Sequence, residues 1–433
     1  MNWINLQLQR LVDIEPGEQK AMLWALFYFF VLLCSYYILR PMRDEMGVAG
    51  GVENLQWLFT GTFIAMLAMV PLFGWITSRY SRATFLPMVY GFFIINLLIF
   101  YLLFSSDVAD VWVARIFFIW VSVFNLFVVS VFWSFMTDIF SNRQARRLFG
   151  FIAAGGTAGA LVGPALTAAL VRPLGPENLM LVSAALLGCA MFCIRQLIRW
   201  RSAHDDTNST PITSTSNPLG GSVLAGIRLV FQSPYLLGIA LLMLLFTTLA
   251  TFLYFQQAQI IRDAFTDPSE RTAVFASIDF AVNLLTVLIQ LFFTGRLVRW
   301  LGLPWTLALV PLLLAVGFMA LAVAPVLTVL AVVQIIRRAG NYAIMRPSRE
   351  MLYVVLGREE KYKAKNFIDT TVYRGGDAIS AWIYTGLRSL GLGLCGIAWI
   401  AVPLAFLWAL LAYRLGHEQT GIAQQQSLNK SQP

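Results

Sequence analysis

Arg40, Arg43, Asp44, Asp279, Arg337, Arg338, Asp369, Arg374 and Asp377 lie within or against the edges of long apolar runs. A charge at bilayer depth costs roughly 2.5–3.5 kcal/mol on insertion scales, so it faces a bundle interior or a water-filled path. Guanidinium groups give forked, charge-assisted hydrogen bonds to oxyanions. The set therefore points to a polar cavity for an anionic small molecule, with Arg40 and Arg43 serving in the first half of the chain. Arg337, Arg338 and Arg374 serve in the second. Arg337 and Arg338 are adjacent, so only one points directly inward, and Arg338 is the favoured one. Asn125, Asn341 and Tyr342 add neutral hydrogen bonds or a stacking surface. Asp279, Asp369 and Asp377 neutralise the arginines when the cavity is empty, or carry a coupling proton. The alternative for Arg40 and Arg43 is snorkelling at the outer interface.

Covalent chemistry is not indicated. The only histidines, His204 and His417, stand in polar segments far from the apolar runs. Cys189 and Cys193 have helical i,i+4 spacing, but no histidine or acid accompanies them. No catalytic residue, metal site or cofactor is therefore expected. A net charge of +9 is explained by basic loops facing the cytoplasm, without invoking nucleic acid.

The elements that must position these residues are membrane helices. Only 12% of the 433 residues are charged, 58% are hydrophobic, and the mean hydropathy is +0.71. A soluble domain carries about 25% charged residues, so most of this surface meets lipid. A crossing needs about 20 apolar residues. Six stretches qualify before residue 198: 21–39, 57–76, 85–104, 111–135, 151–171 and 179–198. Six follow: 235–255, 274–293, 305–324, 326–344, 367–387 and 392–413. Between the groups lies a Ser-, Thr-, Asn- and Pro-rich segment that reads as a linker. The expectation is an all-α integral membrane protein of about twelve spans in two pseudo-symmetric six-helix bundles, residues 1–198 and 223–433, joined by a cytoplasmic linker, 199–222. Arg79, Arg82, Arg143, Arg146, Arg147, Arg195, Arg199, Arg296, Arg299, Lys361 and Lys365 occupy alternate loops. The positive-inside rule places both termini in the cytoplasm of a bacterial inner membrane. No cleavable signal peptide is visible, and the arm Met1–Gln19 suits an interfacial helix or a loose tail. A monomer is expected.

The halves echo each other. "GWITSRYSRATFLP" begins at Gly74 and "GRLVRWLGLPWTLALVP" at Gly295. The offset of about 220 residues is the size of one six-helix half, and the segments look like degenerate forms of the Gly- and Arg-containing loop of the major facilitator superfamily. Asp138 and Glu350 end corresponding spans. They suggest cytoplasmic gate pairs, Asp138 with Arg79 or Arg82, and Glu350 with Arg296 or Arg299. Lys365 and Asp369 join the same gate. In "GFIAAGGTAGALVGP", Gly155, Gly159 and Gly163 share one helix face and predict close helix packing rather than a phosphate loop, which would need a Lys-Ser/Thr.

Three segments resemble the ADP/ATP translocase (nucleotide exchange) family of plastids and obligate intracellular bacteria. "YYILRPMRDEMG" matches its Tyr-x-Ile-Leu-Arg-x-x-Lys-Asp pattern at Tyr36, Ile38, Leu39, Arg40 and Asp44, with Arg43 at the lysine position. "FWSFMTDIFSNRQARRLFG" matches in its Phe-Trp start and its basic turn. "RPSREMLYVVLGREEKYKAKNFID" matches at Pro347, Glu350, Met351, Tyr353, Leu356, Lys361, Lys363, Lys365, Ile368 and Asp369. The resemblance implies a facilitator-like fold and nucleotide exchange across a membrane. It also implies functional acids in the fourth and seventh helices, where this chain offers Ser122, Asn125, Gln256 and Gln257 instead. A facilitator for an unrelated organic acid, drug or peptide, driven by protons, is the alternative.

Overall fold

The computed structural model describes residues 15, 17–79, 82–106, 111–204 and 223–431. Among them the regular elements are all helical. The first group is α1 (Glu18–Ala49), α2 (Leu55–Arg79), α3 (Arg82–Ser105), α4 (Val111–Ile139), α5 (Asn142–Leu174) and α6 (Pro176–His204). The second is α7 (Val223–Gln232), α8 (Pro234–Ala264), α9 (Pro268–Phe292), α10 (Thr294–Val323), α11 (Leu327–Gly340), α12 (Arg346–Leu352), α13 (Arg358–Phe367), α14 (Tyr373–Ser389) and α15 (Leu394–Ser431). Two π turns, Asn341–Met345 and Ile368–Val372, join α11 to α12 and α13 to α14. Such turns widen the helix by one residue and occur often at functional positions.

Nine helices among the described residues are long and apolar enough to cross a membrane: α1, α3, α4, α5, α6, α8, α9, α10 and α15. A helix satisfies its own backbone polar groups, which lipid cannot do. The all-helical integral membrane class follows. The apolar stretches at 326–344 and 367–387 are helical too, but π turns interrupt them and leave α11 with 14 residues and α14 with 17. α6 runs to His204, past the start expected for the linker. Residues 205–222, and nearly all of the Met1–Gln19 arm, lie outside the described residues.

The chain packs as two compact units. One comprises Met1–Gly51, Ile64–Ser214 and Phe265–Phe280; the other comprises Val52–Phe63, Thr215–Ala264 and Ala281–Pro433. They follow the two halves of the sequence except at two places. The first turns of α2 count with the second unit, and the first half of α9 counts with the first.

In the first unit α5 lies directly on α1. A Cβ built on Gly155 would stand 2.3 Å from the Leu26 carbonyl oxygen, and one on Gly159 2.3 Å from that of Phe30. At Gly163 it would stand 2.8 Å from the Cys34 carbonyl. The glycine face is thus a packing face, as its spacing predicts. Small hydroxyls tie α1 to α6 through Ser35 and Ser183, whose oxygens are 2.7 Å apart. Phe29 stacks on Phe132 of α4 at 4.1 Å between ring centroids.

In the second unit α10 packs along α15. Gly302, at φ 72°, takes the left-handed conformation that breaks the line of α10 just before Pro304. Trp57 meets Trp382 of α14 edge-on at 4.8 Å, and Trp382 donates to Thr60 Oγ1 at 3.1 Å. α15 continues well past its apolar stretch. There Gln419 donates to the Met351 carbonyl at 3.4 Å, and Gln426 to that of Val355 at 2.9 Å.

Candidate functional site

The charged residues of α1 stay helical. The apolar stretch ends at Leu39, yet α1 runs on through Pro41 to Ala49. The charges in this last part have partners. Arg40 Nε lies 3.5 Å from Asp279 Oδ2 of α9, with side chains 16% and 2% exposed. Five residues on, Glu45 is fully buried and its Oε1 accepts from Arg271 Nε at 3.2 Å and Nη2 at 2.7 Å. Both pairs belong to the first unit. Arg43 lies over the Phe118 ring of α4 at 4.0 Å, donates to the Phe118 carbonyl at 3.4 Å and pairs with Asp44 at 3.1 Å. That is a cation–π seat with a backbone anchor. Asn125 is half-buried on α4, within a turn of Ser122. Arg40 and Arg43 are directed at protein groups.

The second unit gathers a second polar cluster. Arg338 is 7% exposed and Arg337 half-buried, so Arg338 is the more enclosed of the two, in keeping with their adjacency on α11. Arg337 donates through Nε and Nη2 to Gln334 Oε1 at 3.3 and 2.9 Å. Gln334 in turn donates to the Gln257 side chain of α8. Arg374 pairs with Asp377 at 3.6 Å and lies over the Tyr373 ring at 5.0 Å. Tyr373 stacks near Phe246 and stands within electrostatic reach of Arg337 and Tyr342. Half-buried Asn341 and Tyr342 open the first π turn, and Tyr373 follows the second.

Towards the α12–α13 turn lies a third group. Arg349 pairs with Asp369 at 3.1 Å, and Lys365 with Glu350 at 2.5 Å. Glu350 therefore meets Lys365, not Arg296 or Arg299. Those two spend their guanidinium groups on the carbonyls of Phe292 and Gly295, one helical turn back. Close spacing through the α12–α13 turn wins over the longer reach the repeat suggested. Tyr353 stands beside this group, and burial followed by the Asp369 carboxylate pushes its phenol above the ordinary range. Asp138 is exposed at the end of α4, where its backbone carbonyl accepts from Arg201. Arg79 is exposed on α2, and the Arg82 side chain lies outside the described residues.

The structure thus joins Arg40 to Asp279, Lys365 to Glu350, and Asp369 to a residue of the same motif. Glu45, Arg271 and Gln334 are unmarked in the sequence. The available signal is that Glu45 follows Arg40 on a helix whose neighbours are already charged, and that Gln334 stands one turn before Arg337.

The profile of the Major Facilitator Superfamily matches residues 21–354. The chain belongs to the major facilitator superfamily. It is accordingly an integral membrane transporter of the facilitator type. ADP,ATP carrier protein 1 of Chlamydia muridarum is 23% identical to this facilitator over 89% of its chain and 84% of the relative. The Chlamydia trachomatis protein of the same name is 22% identical over the same shares. Among solved structures, the nucleoside transporter NupG superposes with a TM-score of 0.62 at 14% identity, over 94% of this facilitator and 99% of that chain. A bacterial homologue of the iron transporter ferroportin, inward-facing, gives 0.63 at 14% identity over 93% and 98%. At these identities the superpositions establish the fold. The resemblance read from the three motifs agrees with both carriers.

Proposed function

We propose that this facilitator exchanges nucleotides of the ATP/ADP type, or a closely related phosphorylated organic anion, by alternating access. The observation that carries the reading is the Arg40–Asp279 pair, almost wholly enclosed in helices that cross lipid. A buried ion pair is seldom worth more than apolar packing of the same volume, so its presence asks for a role beyond stability. A guanidinium takes phosphate oxygens in the same forked fashion as it takes a carboxylate, so an incoming anion competes with Asp279 for Arg40. Arg43, seated on Phe118, is the neighbouring donor. The similarity to two ADP,ATP carriers over most of the chain supports the same substrate class.

No bond is made or broken in this reading. The anion enters a cavity open to one side, lowers the barrier between inward and outward states, and leaves on the other side. The two bundles, 1–198 and 223–433, act as the moving bodies, both termini face the cytoplasm, and the membrane is the bacterial inner membrane. In the second bundle the cytoplasmic gate residues are Lys365, which holds Glu350, and Arg349, which holds Asp369.

A second reading has one observation in its favour. Where the carrier family is expected to hold acids, this chain has neutral groups, and Gln257 bonds to the neutral amide of Gln334. That favours a facilitator for a less charged solute, in which a coupling proton would be left to a carboxylate such as Asp279. Purified protein in vesicles, given labelled ATP, ADP and phosphate, separates the two. Uptake stimulated by internal nucleotide is expected. Uptake that ignores internal nucleotide but follows a pH gradient overturns exchange in favour of proton coupling.

A further inference from the structure

We propose that Glu45 and Arg271 are positioning residues: they fix the register of α1 against α9 so that Asp279 meets Arg40. The inference rests on the reading that Arg40 receives the anion. Arg271 is engaged on every nitrogen of its guanidinium. Nε and Nη2 grip Glu45 Oε1, while Nη1 donates to the carbonyls of Phe265 and Thr266 at 3.5 and 3.3 Å. One side chain therefore fastens the turn before α9 to α1. The start of α9 is itself firm, since Thr272 donates to the Pro268 carbonyl at 2.8 Å and Asp267 accepts from the Glu270 amide at 3.2 Å.

The order of charges does the rest. Along α1 a base, Arg40, precedes an acid, Glu45. Along α9 a base, Arg271, precedes an acid, Asp279. In the observed pairing Glu45 lies against Arg271 and Arg40 against Asp279, so the two helices run in opposite directions along this strip. Sliding α9 one way carries Asp279 towards Glu45; sliding it the other way carries Arg271 towards Arg40. Either slip sets like charges together where water does not screen them, which penalises every register but this one. Glu45 Oε2 is buried without a hydrogen-bond partner among the described residues. The whole grip on Arg271 is made through Oε1.

The test uses full-length protein in detergent. Glu45→Gln keeps the side-chain volume and removes the charge; Arg271→Gln removes the charge from the other side with a shorter side chain. Each is expected to weaken ATP binding about tenfold, because small misplacements of a binding group carry large costs, while the protein still melts cooperatively. The exchange Glu45→Arg with Arg271→Glu keeps a pair at this level but leaves two bases on α1 and two acids on α9, so neither slip is penalised any longer; binding is expected to stay about tenfold weaker than wild type. A second readout needs no nucleotide. Thiols at 40 and 279, in protein with its own cysteines replaced, are joined by a short bifunctional reagent. The yield is expected to fall when Glu45→Gln is added. An unchanged yield, or a charge exchange that restores binding to within about threefold of wild type, overturns the proposal. If wild-type protein binds no ATP, the anion reading fails while the cross-linking result still decides the register.

Discussion

Asp279 and Arg40 differ from surface charges in what happens when one of them is removed. Asp279→Asn leaves the Arg40 guanidinium enclosed without its formal counter-charge, which costs about 3–5 kcal/mol for a buried pair. Arg40→Gln with Asp279→Asn removes both charges. The double variant is therefore expected to melt at a higher temperature than Asp279→Asn alone, as read by tryptophan fluorescence in detergent; equal melting would mean the two do not interact. Arg43 is held differently. Its charge is seated on the Phe118 ring and anchored to the Phe118 carbonyl. Arg43→Ala is expected to abolish anion transport while leaving expression intact, and Arg43→Lys to recover only part of it, because an ammonium lacks the planar fork. Wild-type kinetics in Arg43→Ala would remove it from the site. These arginines stand out in the sequence because charge inside an apolar run is costly. Glu45 and Arg271 do not, because each stands near the end of an apolar run, where charges ordinarily meet water. Their burial is visible only once α1 is seen to remain helical beyond Leu39.

Helix by helix, the prediction with the least freedom concerns α5. Gly159→Val would drive a branched side chain into the Phe30 carbonyl, and overpacking of this kind costs about 1–3 kcal/mol or more. Gly150→Ala meets open space and serves as the control. The first is expected to lower the melting temperature sharply and the second to raise it slightly, since alanine favours the helix by about 0.5–1 kcal/mol. At the short helical turn before α2, Glu53 accepts from Arg262 at the end of α8. That hydrogen bond holds the Glu53 carboxyl below its ordinary value. The contribution is present above the unfolded value of about 4.3 and is lost as pH falls through the lower folded value. Glu53→Gln should therefore lower the melting temperature slightly at pH 7 and not at all once acid has protonated the wild-type carboxyl, and high salt should shrink the difference because the pair is exposed. Apolar length and glycine spacing made the helices and the α1–α5 contact legible. The π turns were not, because a one-residue widening leaves hydropathy untouched; what marks them is only the cluster of Arg337, Arg338, Asn341 and Asp369 that breaks the apolar pattern nearby.

For the whole molecule, the facilitator class follows from the count of apolar stretches, the basic alternate loops and the echo at Gly74 and Gly295. The pairing at the α12–α13 turn did not follow, since the repeat compares positions about 220 residues apart and says nothing of the nearer Lys365. That turn is also braced from a distance, by Gln419 and Gln426 of α15. Gln419→Leu with Gln426→Leu is expected to slow exchange in vesicles several-fold without altering ATP affinity, since the two amides touch the backbone of the proposed gate at Met351 and Val355; a change in affinity with unchanged rate would contradict this. The two compact units also trade segments. Each keeps a short strip of polypeptide that the ribosome makes with the opposite half, and Ala273 of one such strip belongs to the first unit's hydrophobic core. Severed at the linker, neither fragment would own all the side chains its interior requires. Two such fragments produced in one cell should survive only as a complex, each protecting the other from proteolysis, and either produced alone should be degraded.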